Sequence, residues 1–231
     1  MHTFFVAGTD TDVGKTIVSK LIIRQLNAKI GATLGIKPVS AGCELTADGL
    51  RNEDALILQS ESALKVPYDV INPIAFEPAI APHIAAQLIN KRISLDDLQS
   101  CLASALAYKP ECLLIEGAGG WRLPLNNDGL FLSDFVKHNK IKVILVVGMK
   151  LGCLNHAILS YQAIQEDGLE CVGWVANHLS ADMPYLNENK ETLLNVLGCP
   201  LIAEVPYQGG ATAPDDISTI HINESFLQIF S

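Results

Sequence analysis

Near its start the chain reads Thr3-Phe4-Phe5-Val6-Ala7-Gly8-Thr9-Asp10-Thr11-Asp12-Val13-Gly14-Lys15-Thr16. An apolar run ends at Gly8, a polar loop follows, and Gly14-Lys15-Thr16 opens a segment with helical periodicity. This order is typical of a phosphate-binding P-loop, in which backbone N–H groups surround the phosphates, the lysine reaches the outer ones and the threonine hydroxyl can bind Mg²⁺. Five residues separate Gly8 from Gly14, where the usual loop has four. The stretch therefore predicts a strand, a variant P-loop and a helix.

The composition of the 231 residues favours a folded α/β protein. Hydrophobic residues make up 49% of the chain and charged residues only 18%, which argues against disorder and is enough for a large core. We expect one domain over residues 1–231. The net charge of −9 argues against nucleic-acid and membrane-surface partners, because both present phosphates that need basic patches.

The six cysteines form no CxxC pair, and several lie inside apolar runs. We interpret them as reduced, packed thiols of a cytoplasmic protein. The first residues have no basic start and no site typical of signal-peptide cleavage. The longest apolar run, around residues 143–147, is too short to span a bilayer.

Short apolar runs alternate with segments of helical periodicity along the chain. The predicted strands are 3–8, 32–36, 112–115, 142–147, 171–176 and 201–205, and the predicted helices are 17–28, 55–59, 83–88, 95–108, 130–138, 154–166 and 184–197. Residues 40–53 and the proline-rich residues 66–82 are interpreted as loops. Continuous apolar strands between helices predict a three-layer α/β/α fold of the P-loop NTPase type, with a mostly parallel central sheet. Ligands of such sheets bind beyond the carboxyl ends of the strands.

Five polar residues are candidates for phosphate or metal binding, four of them at predicted strand ends or in the P-loop. Lys15 is expected to bind the outer phosphates, and Thr16 is expected to hold Mg²⁺. Glu116 follows an apolar strand, where a carboxylate can complete a magnesium site. Asp54 is a second candidate ligand, although an aspartate here could also cap a helix. Lys37 ends a predicted strand beside Pro38, and either a phosphate contact or a solvated surface position fits it.

The motifs together resemble those of the dethiobiotin synthetase family. The resemblance runs over residues 4–206 and rests on Gly8 to Thr16, Lys37-Pro38-Val39, Glu116-Gly117-Ala118-Gly119-Gly120-Trp121, Gly148-Met149-Lys150-Leu151-Gly152-Cys153-Leu154-Asn155-His156, Gly173-Trp174-Val175-Ala176-Asn177 and Glu204-Val205-Pro206. The family closes a cyclic urea on 7,8-diaminopelargonate with CO₂ and ATP, through a carbamate that ATP phosphorylates. The resemblance therefore implies Mg²⁺ as cofactor, ATP as co-substrate and a homodimer with its active site at the subunit interface.

The resemblance also implies roles for individual residues. Catalytic residues are Lys37, Lys15 and Thr11. The ATP site comprises Asp12, Val13, Gly14, Lys15, Thr16, Ile17, Asp54, Glu116, Gly117, Ala118, Gly119, Asn177, Val205, Pro206 and Tyr207. The substrate contacts Thr11, Lys37, Ala41 and, from the neighbouring subunit, Gly152, Cys153, Leu154 and Asn155. Magnesium is held by Thr16, Asp54 and Glu116.

Two positions depart from the family pattern. Asp12 stands where the family usually has glutamate, so the charge is kept on a shorter side chain. Ala41 stands where many members place a substrate-contacting serine, so this contact needs Ser40 or a backbone group instead.

Two other classes of P-loop protein fit less well. Related amidoligases such as the cobyrinate a,c-diamide synthases need an added glutaminase domain, for which this chain is too short. Partitioning-type ATPase switches carry a second lysine early in the loop, where this chain has Thr9-Asp10-Thr11.

Overall fold

The computed structural model describes residues 1–209, residue 220 and residues 222–228. In these residues the strands are β1 (His2–Gly8), β2 (Thr33–Ile36), β3 (Val39–Ser40), β4 (Glu44–Thr46), β5 (Gly49–Arg51), β6 (Ile74–Ala75), β7 (Cys112–Gly120), β8 (Lys142–Met149), β9 (Cys171–His178) and β10 (Leu201–Val205). The helices are α1 (Lys15–Ile30), α2 (Glu53–Glu61), α3 (Tyr68–Ile71), α4 (Pro82–Leu88), α5 (Leu95–Leu106), α6 (Leu132–His138), α7 (Cys153–Glu166), α8 (Leu186–Val196) and α9 (Glu224–Leu227).

A six-stranded sheet in the order β10-β9-β8-β1-β7-β2 forms the centre of the fold. All five of its strand pairs are parallel, so every strand ends at the same edge. The central strands are buried almost throughout, because helices cover both faces, and this explains their continuous apolar sequences. The predicted α/β/α fold with a mostly parallel sheet is thereby confirmed.

Local signals explain the helix ends that the sequence predicted. Helix α1 begins after Gly14, whose φ is 85°, and ends at Gly31, whose φ is 86°; glycine accepts both conformations at little cost. Helix α5 begins with a capping box between Ser94 and Asp97. None of the helices in the described part of the chain is long and apolar enough to cross a bilayer.

The two predicted loops contain more structure than their sequences indicate. Residues 40–53 include the antiparallel pair β4–β5. Residues 66–82 include α3, β6 and the first residue of α4, and β6 pairs with β3 in parallel. Tyr68, Ile71 and Phe76 are buried in the core, so the interpretation of residues 66–82 as a surface loop was wrong. Their apolar residues pack beside β2 without a regular period, because several short elements share them.

Part of the C-terminal segment packs on the domain behind the site. Gln25 Nε2 donates to the carbonyl of Ile220 at 2.8 Å, and Asn223 N donates to the carbonyl of Ile202 at 2.7 Å. The ring of Phe226 lies 5.7 Å from that of Phe4, centroid to centroid. The described residues 220 and 222–228 therefore contact α1, β1 and β10.

Candidate functional site

A cavity of about 930 Å³ lies at the carboxyl ends of the central strands. Of the residues proposed above for ATP, substrate or metal, its walls include Thr11, Asp12, Gly14, Lys15, Thr16, Ile17, Lys37, Ala41, Asp54, Ala118, Gly119, Asn177, Pro206 and Tyr207. Because the strands are parallel, residues far apart in sequence meet at this edge. One cavity therefore collects most of the predicted site.

The P-loop turns tightly between β1 and α1. Asp12 has a φ of 56° and Gly14 a φ of 85°, and left-handed residues of this kind turn successive N–H groups into a concave anion site. A Cβ on Gly14 would lie 2.1 Å from Asn177 Nδ2, so only glycine fits there. Asn177 in turn donates from Nδ2 to the carbonyl of Val13 at 2.9 Å. The end of β9 therefore supports the P-loop from behind.

Lys15 lies across the mouth of the P-loop and is almost fully buried. Its Nζ donates to the carbonyl oxygens of Asp10 at 3.0 Å and Gly119 at 2.9 Å. Burial and the neighbouring charge of Lys37 lower the pKa of Lys15 from 10.5 to about 8. A bound anion in the P-loop would reduce the cost of burying the charged ammonium group of Lys15, because its negative charge would lie beside that group.

Lys37 forms the electrostatic centre of the site. It is buried, and its Nζ lies 2.7 Å from Asp54 Oδ2 and 2.7 Å from Glu116 Oε1. Burial disfavours its charge, but the two carboxylates outweigh that effect, so the pKa of Lys37 is raised. Burial likewise works against the charge of Asp54, but Lys37 keeps the pKa of Asp54 below its ordinary value. Of the two positions left open for Lys37, the solvated surface position is excluded.

The helix-cap alternative for Asp54 is wrong. The N-cap of α2 is Asn52, whose Oδ1 accepts from Ala55 N at 3.2 Å. Asp54 lies inside the first turn of the helix, which leaves its carboxylate free to reach the cavity and Lys37. The acidic pair Glu53-Asp54 directly after an asparagine is a capping signal that could have assigned this role to Asn52.

The residues present fit a magnesium ion. Thr16 Oγ1 donates to Glu116 Oε1 at 3.0 Å, so hydroxyl and carboxylate already face one another. Glu116 Oε2 is buried and has no hydrogen-bond partner, as expected for an oxygen that faces a cation. No group of three or more His, Cys, Asp or Glu among the described residues could hold a metal ion. Mg²⁺ would need only one or two protein carboxylates, because phosphate and water oxygens complete its octahedron.

Residues that the sequence did not single out hold Lys37 and Asp54 in place. Asn72 Nδ2 donates to the carbonyl of Lys37 at 2.6 Å, and Asn72 Oδ1 accepts from Tyr68 Oη at 3.1 Å. Tyr68 Oη accepts from Asn52 N at 2.8 Å. This chain of bonds joins the end of β2 to the start of α2. No periodic or motif signal marks Tyr68 or Asn72, because both lie in the irregular residues 66–82.

Ser40 is committed to the same network. Its hydroxyl donates to Asn72 Oδ1 at 2.8 Å and lies 3.1 Å from Cys43 Sγ. Ser40 and Ala41 both line the cavity, but the Ser40 side chain is buried and its proton is in use. Ser40 therefore acts as a support for the loop after Lys37.

Some predicted site residues lie outside the cavity wall. Val13, Glu116, Gly117 and Val205 are buried behind it. A Cβ on Gly117 would lie 2.7 Å from Phe5, so glycine lets β7 approach β1 closely. Unpredicted residues that do line the cavity are Ser40, Asn52, Ala79, Ile80, Ala81, Pro82, Leu123, His178, Leu179 and Gln208.

The segment Gly152, Cys153, Leu154 and Asn155 forms the start of α7 and does not line this chain's own cavity. Leu151, directly before it, is 99% exposed. One ion pair connects this segment with the P-loop: Lys150 Nζ lies 3.0 Å from Asp10 Oδ2. Asp10 Oδ1 accepts from Thr11 N at 2.8 Å, so the same carboxylate also fixes the backbone of Thr11.

Comparison with known proteins adds a family to this geometry. A family model described as an AAA domain matches residues 2–215. The ATP-dependent dethiobiotin synthetase BioD of Aeromonas salmonicida is 49% identical over 207 residues, which is 90% of this chain and 91% of that protein. The BioD of Cellvibrio japonicus is 47% identical over 220 residues, or 95% of each chain.

Solved structures support the fold. The septum site-determining protein MinD from Pyrococcus horikoshii, complexed with Mg-ADP, superposes with a TM-score of 0.55 at 17% identity, over 90% of this chain and 82% of that one. At this identity the likeness concerns the fold alone.

The buried ammonium of Lys15 predicts a pH-dependent stability. Because its folded-state pKa of about 8 lies below the unfolded value, its charge destabilises the ligand-free fold below about pH 8, and the cost fades toward pH 10.5. Relative to Lys15→Met, the free energy of unfolding of the wild type should therefore rise by about 2 kcal/mol between about pH 7 and about pH 9.5. Urea unfolding of both proteins across this range measures it. A difference that stays constant with pH would contradict the burial of this charge.

The Tyr68 hydroxyl should contribute measurably to stability. Tyr68→Phe keeps the ring but leaves Asn52 N–H without its acceptor and removes one donor to Asn72. We expect the free energy of unfolding to fall by about 1–2 kcal/mol. Urea unfolding checks this, with Tyr185→Phe, whose side chain is exposed, as the matched control. Equal changes in the free energy of unfolding of the two variants would show that the hydrogen bonds of Tyr68 do not contribute to stability.

Proposed function

Because the chain belongs to the AAA-domain family and, within it, to the ATP-dependent dethiobiotin synthetases, we propose that it closes the cyclic urea of dethiobiotin. The substrates are 7,8-diaminopelargonate, CO₂ and ATP, and the products are dethiobiotin, ADP and phosphate. The reaction is the penultimate step of biotin biosynthesis. The enzyme is therefore an ATP-dependent cyclo-ligase.

The observation that carries the proposal is the position of Lys37. A second buried ammonium faces the same cavity as the P-loop lysine, and two carboxylates hold it there. A P-loop alone suffices for nucleotide binding, so a second fixed cation points to a second anion beside the triphosphate. A carbamate of the diamine is such an anion, and it can approach a γ-phosphate only where cations offset the repulsion.

Each cation has a distinct part in this chemistry. Lys15 binds the outer phosphates, as its position across the loop supports. Lys37 binds the carbamate and stabilises the charge that develops as the phosphoryl group is transferred. Thr11 also lines the cavity. Its Oγ1 lies beside Gly119, 3.8 Å from where a Cβ on that glycine would stand. The neighbouring amine then attacks the carbamoyl carbon, and phosphate leaves.

Thr16, Asp54 and Glu116 are the residues that would hold Mg²⁺. When bound, the ion neutralises phosphate charge and polarises the transferred group. In the protein without it, Lys37 compensates both carboxylates. The same residues thus keep the site assembled before the nucleotide arrives.

The remaining ATP contacts belong to the P-loop and to the ends of β9 and β10. Backbone groups of Asp12, Gly14 and Ile17 surround the triphosphate, with Ala118 and Gly119 on the opposite side, and Val13 and Gly117 support them from behind the cavity wall. Asn177, Val205, Pro206 and Tyr207 form the side of the base. Since Asn177 Nδ2 already donates to Val13, its Oδ1 is the atom left to accept from an adenine amino group.

The substrate carboxylate needs a site of its own, and the start of α7 supplies one. The first N–H groups of a helix favour an anion; Cys153 N already donates to the carbonyl of Lys150 at 2.9 Å, so the backbone N–H groups of Leu154 and Asn155 are the contacts we propose. The family resemblance implies that this segment serves the site of a second copy in a homodimer, and its position outside this chain's own cavity is compatible with that role. The proposal further includes one domain over residues 1–231 and a cytoplasmic location.

Diamine-dependent phosphate release tests the function directly. Purified full-length protein with ATP, Mg²⁺ and bicarbonate should release phosphate only after 7,8-diaminopelargonate is added, and dethiobiotin should form in equal amount. Phosphate release that does not depend on the diamine, or no release at all, would contradict the proposal.

Two variants separate the role of Lys37 from general damage. Lys37→Leu should lower turnover by about 10²-fold or more, while nucleotide binding stays measurable because the P-loop is intact. Lys142→Leu removes a lysine that is half-exposed and paired with Glu170, and it should keep full activity.

A further inference from the structure

Two cysteines that the proposed reaction does not use lie in contact. Cys171 is the first residue of β9, and Cys199 lies between α8 and β10, 28 residues later. Their sulfurs are 3.6 Å apart, at hydrogen-bond distance. Cys171 is partly exposed, whereas the other cysteines are buried. Two thiols from neighbouring chain segments therefore meet near the protein surface.

The pairing of β9 with β10 holds Cys171 and Cys199 close to one another. Trp174 N donates to the carbonyl of Pro200 at 2.9 Å, directly beside both cysteines. A Cβ on Gly173 would lie 2.4 Å from Ile202 Cγ1, so β10 packs closely on β9 only because residue 173 is glycine. A disulfide bond is about 2.05 Å long, and side-chain rotation can bring sulfurs in contact to that distance.

The chemistry of the two thiols differs. Hydrogen bonding with Cys171 lowers the pKa of Cys199, while the same interaction and burial raise the pKa of Cys171. The thiolate is the reactive form, so the lowered pKa favours Cys199 for the first attack. β10 is the edge strand of the sheet, so only one neighbouring strand covers it in the plane of the sheet.

We propose that Cys171 and Cys199 form a dithiol modification site, which a low-molecular-weight disulfide oxidises to an intramolecular disulfide. The Cys199 thiolate attacks one sulfur of the reagent, breaks its S–S bond and releases the first thiolate. The Cys171 thiol then loses its proton and attacks Cys199 Sγ in the mixed disulfide, which releases the second. In balance, two protein thiols are oxidised and one reagent disulfide is reduced to two thiols.

The cross-link lies at the opposite end of the strands from the cavity. The carboxyl ends of β9 and β10 lead into Asn177 and Pro206, whereas the cysteines precede or begin the same strands. A bond there closes a loop that contains α8 and ties the edge strand to its neighbour. We expect it to stabilise the domain against unfolding while turnover stays unchanged.

The test uses the full-length protein and oxidised glutathione as the reagent. The native wild type should lose two of its six free thiols, and peptide mapping without reductant should show one cross-linked pair that contains Cys171 and Cys199. The midpoint of thermal unfolding should rise by about 5 °C and return after reduction. Six remaining thiols, a glutathione adduct without cross-link, or a different cysteine pair would overturn the proposal.

Variants provide the matched controls. Cys199→Ser should lose both the cross-link and the thermal shift. Cys101→Ser, which removes a buried thiol that donates to the carbonyl of Asp97, should keep both. The thiol count and the peptide map are measured on the wild type. Poor folding of Cys199→Ser therefore does not affect these two readouts. The readouts are also independent of dethiobiotin synthesis, so this proposal and the proposed function can fail separately.

Discussion

One buried ammonium group between two carboxylates is the interaction on which the site depends. Lys37 lies 2.7 Å from both Asp54 and Glu116, and water is largely excluded from all three charges except on the side of Asp54. Desolvating such ions costs several kcal/mol each, so each charge is tolerable only while its partners remain. Removing any one of them leaves the others uncompensated. The cluster therefore fixes the ends of β2 and β7 and the start of α2 relative to one another.

The order of strands explains why these groups can meet. β7 lies between β1 and β2, so Glu116 faces the P-loop on one side and Lys37 on the other. The hydrogen bonds among Asn52, Tyr68 and Asn72 then connect the start of α2 with the backbone of Lys37 at the end of β2. Cations and carboxylates are thus held at a fixed spacing before any ligand binds. Preorganisation of this kind is what stabilising a developing phosphoryl charge requires.

The sequence predicts those parts of the fold whose signals are local. Six apolar runs predict the six strands of the central sheet, and β10 agrees with its prediction at both ends, because Leu201 follows a proline and Val205 precedes another. The P-loop can be recognised in the sequence because the tight turn around the phosphates requires glycines at fixed spacing. The role of Asp54 stayed open because an aspartate suits both a helix cap and a cavity position, although Asn52 before the acidic pair Glu53-Asp54 signals which residue caps α2. Tyr68 and Asn72 could not be found at all, because their roles come from contacts with residues 16 to 35 positions away. The functional roles of individual site residues remain predictions drawn from the family resemblance and this geometry.

The most direct test of the cluster is a double-mutant cycle on the ligand-free protein. The free energy of unfolding is measured for the wild type, Lys37→Leu, Glu116→Gln and the double variant, with the exposed Lys142–Glu170 pair as a reference cycle. We expect a coupling energy of about 2 kcal/mol or more between Lys37 and Glu116, and less than about 0.5 kcal/mol for the surface pair. Equal, small couplings in both cycles would contradict the central role of the buried ion cluster.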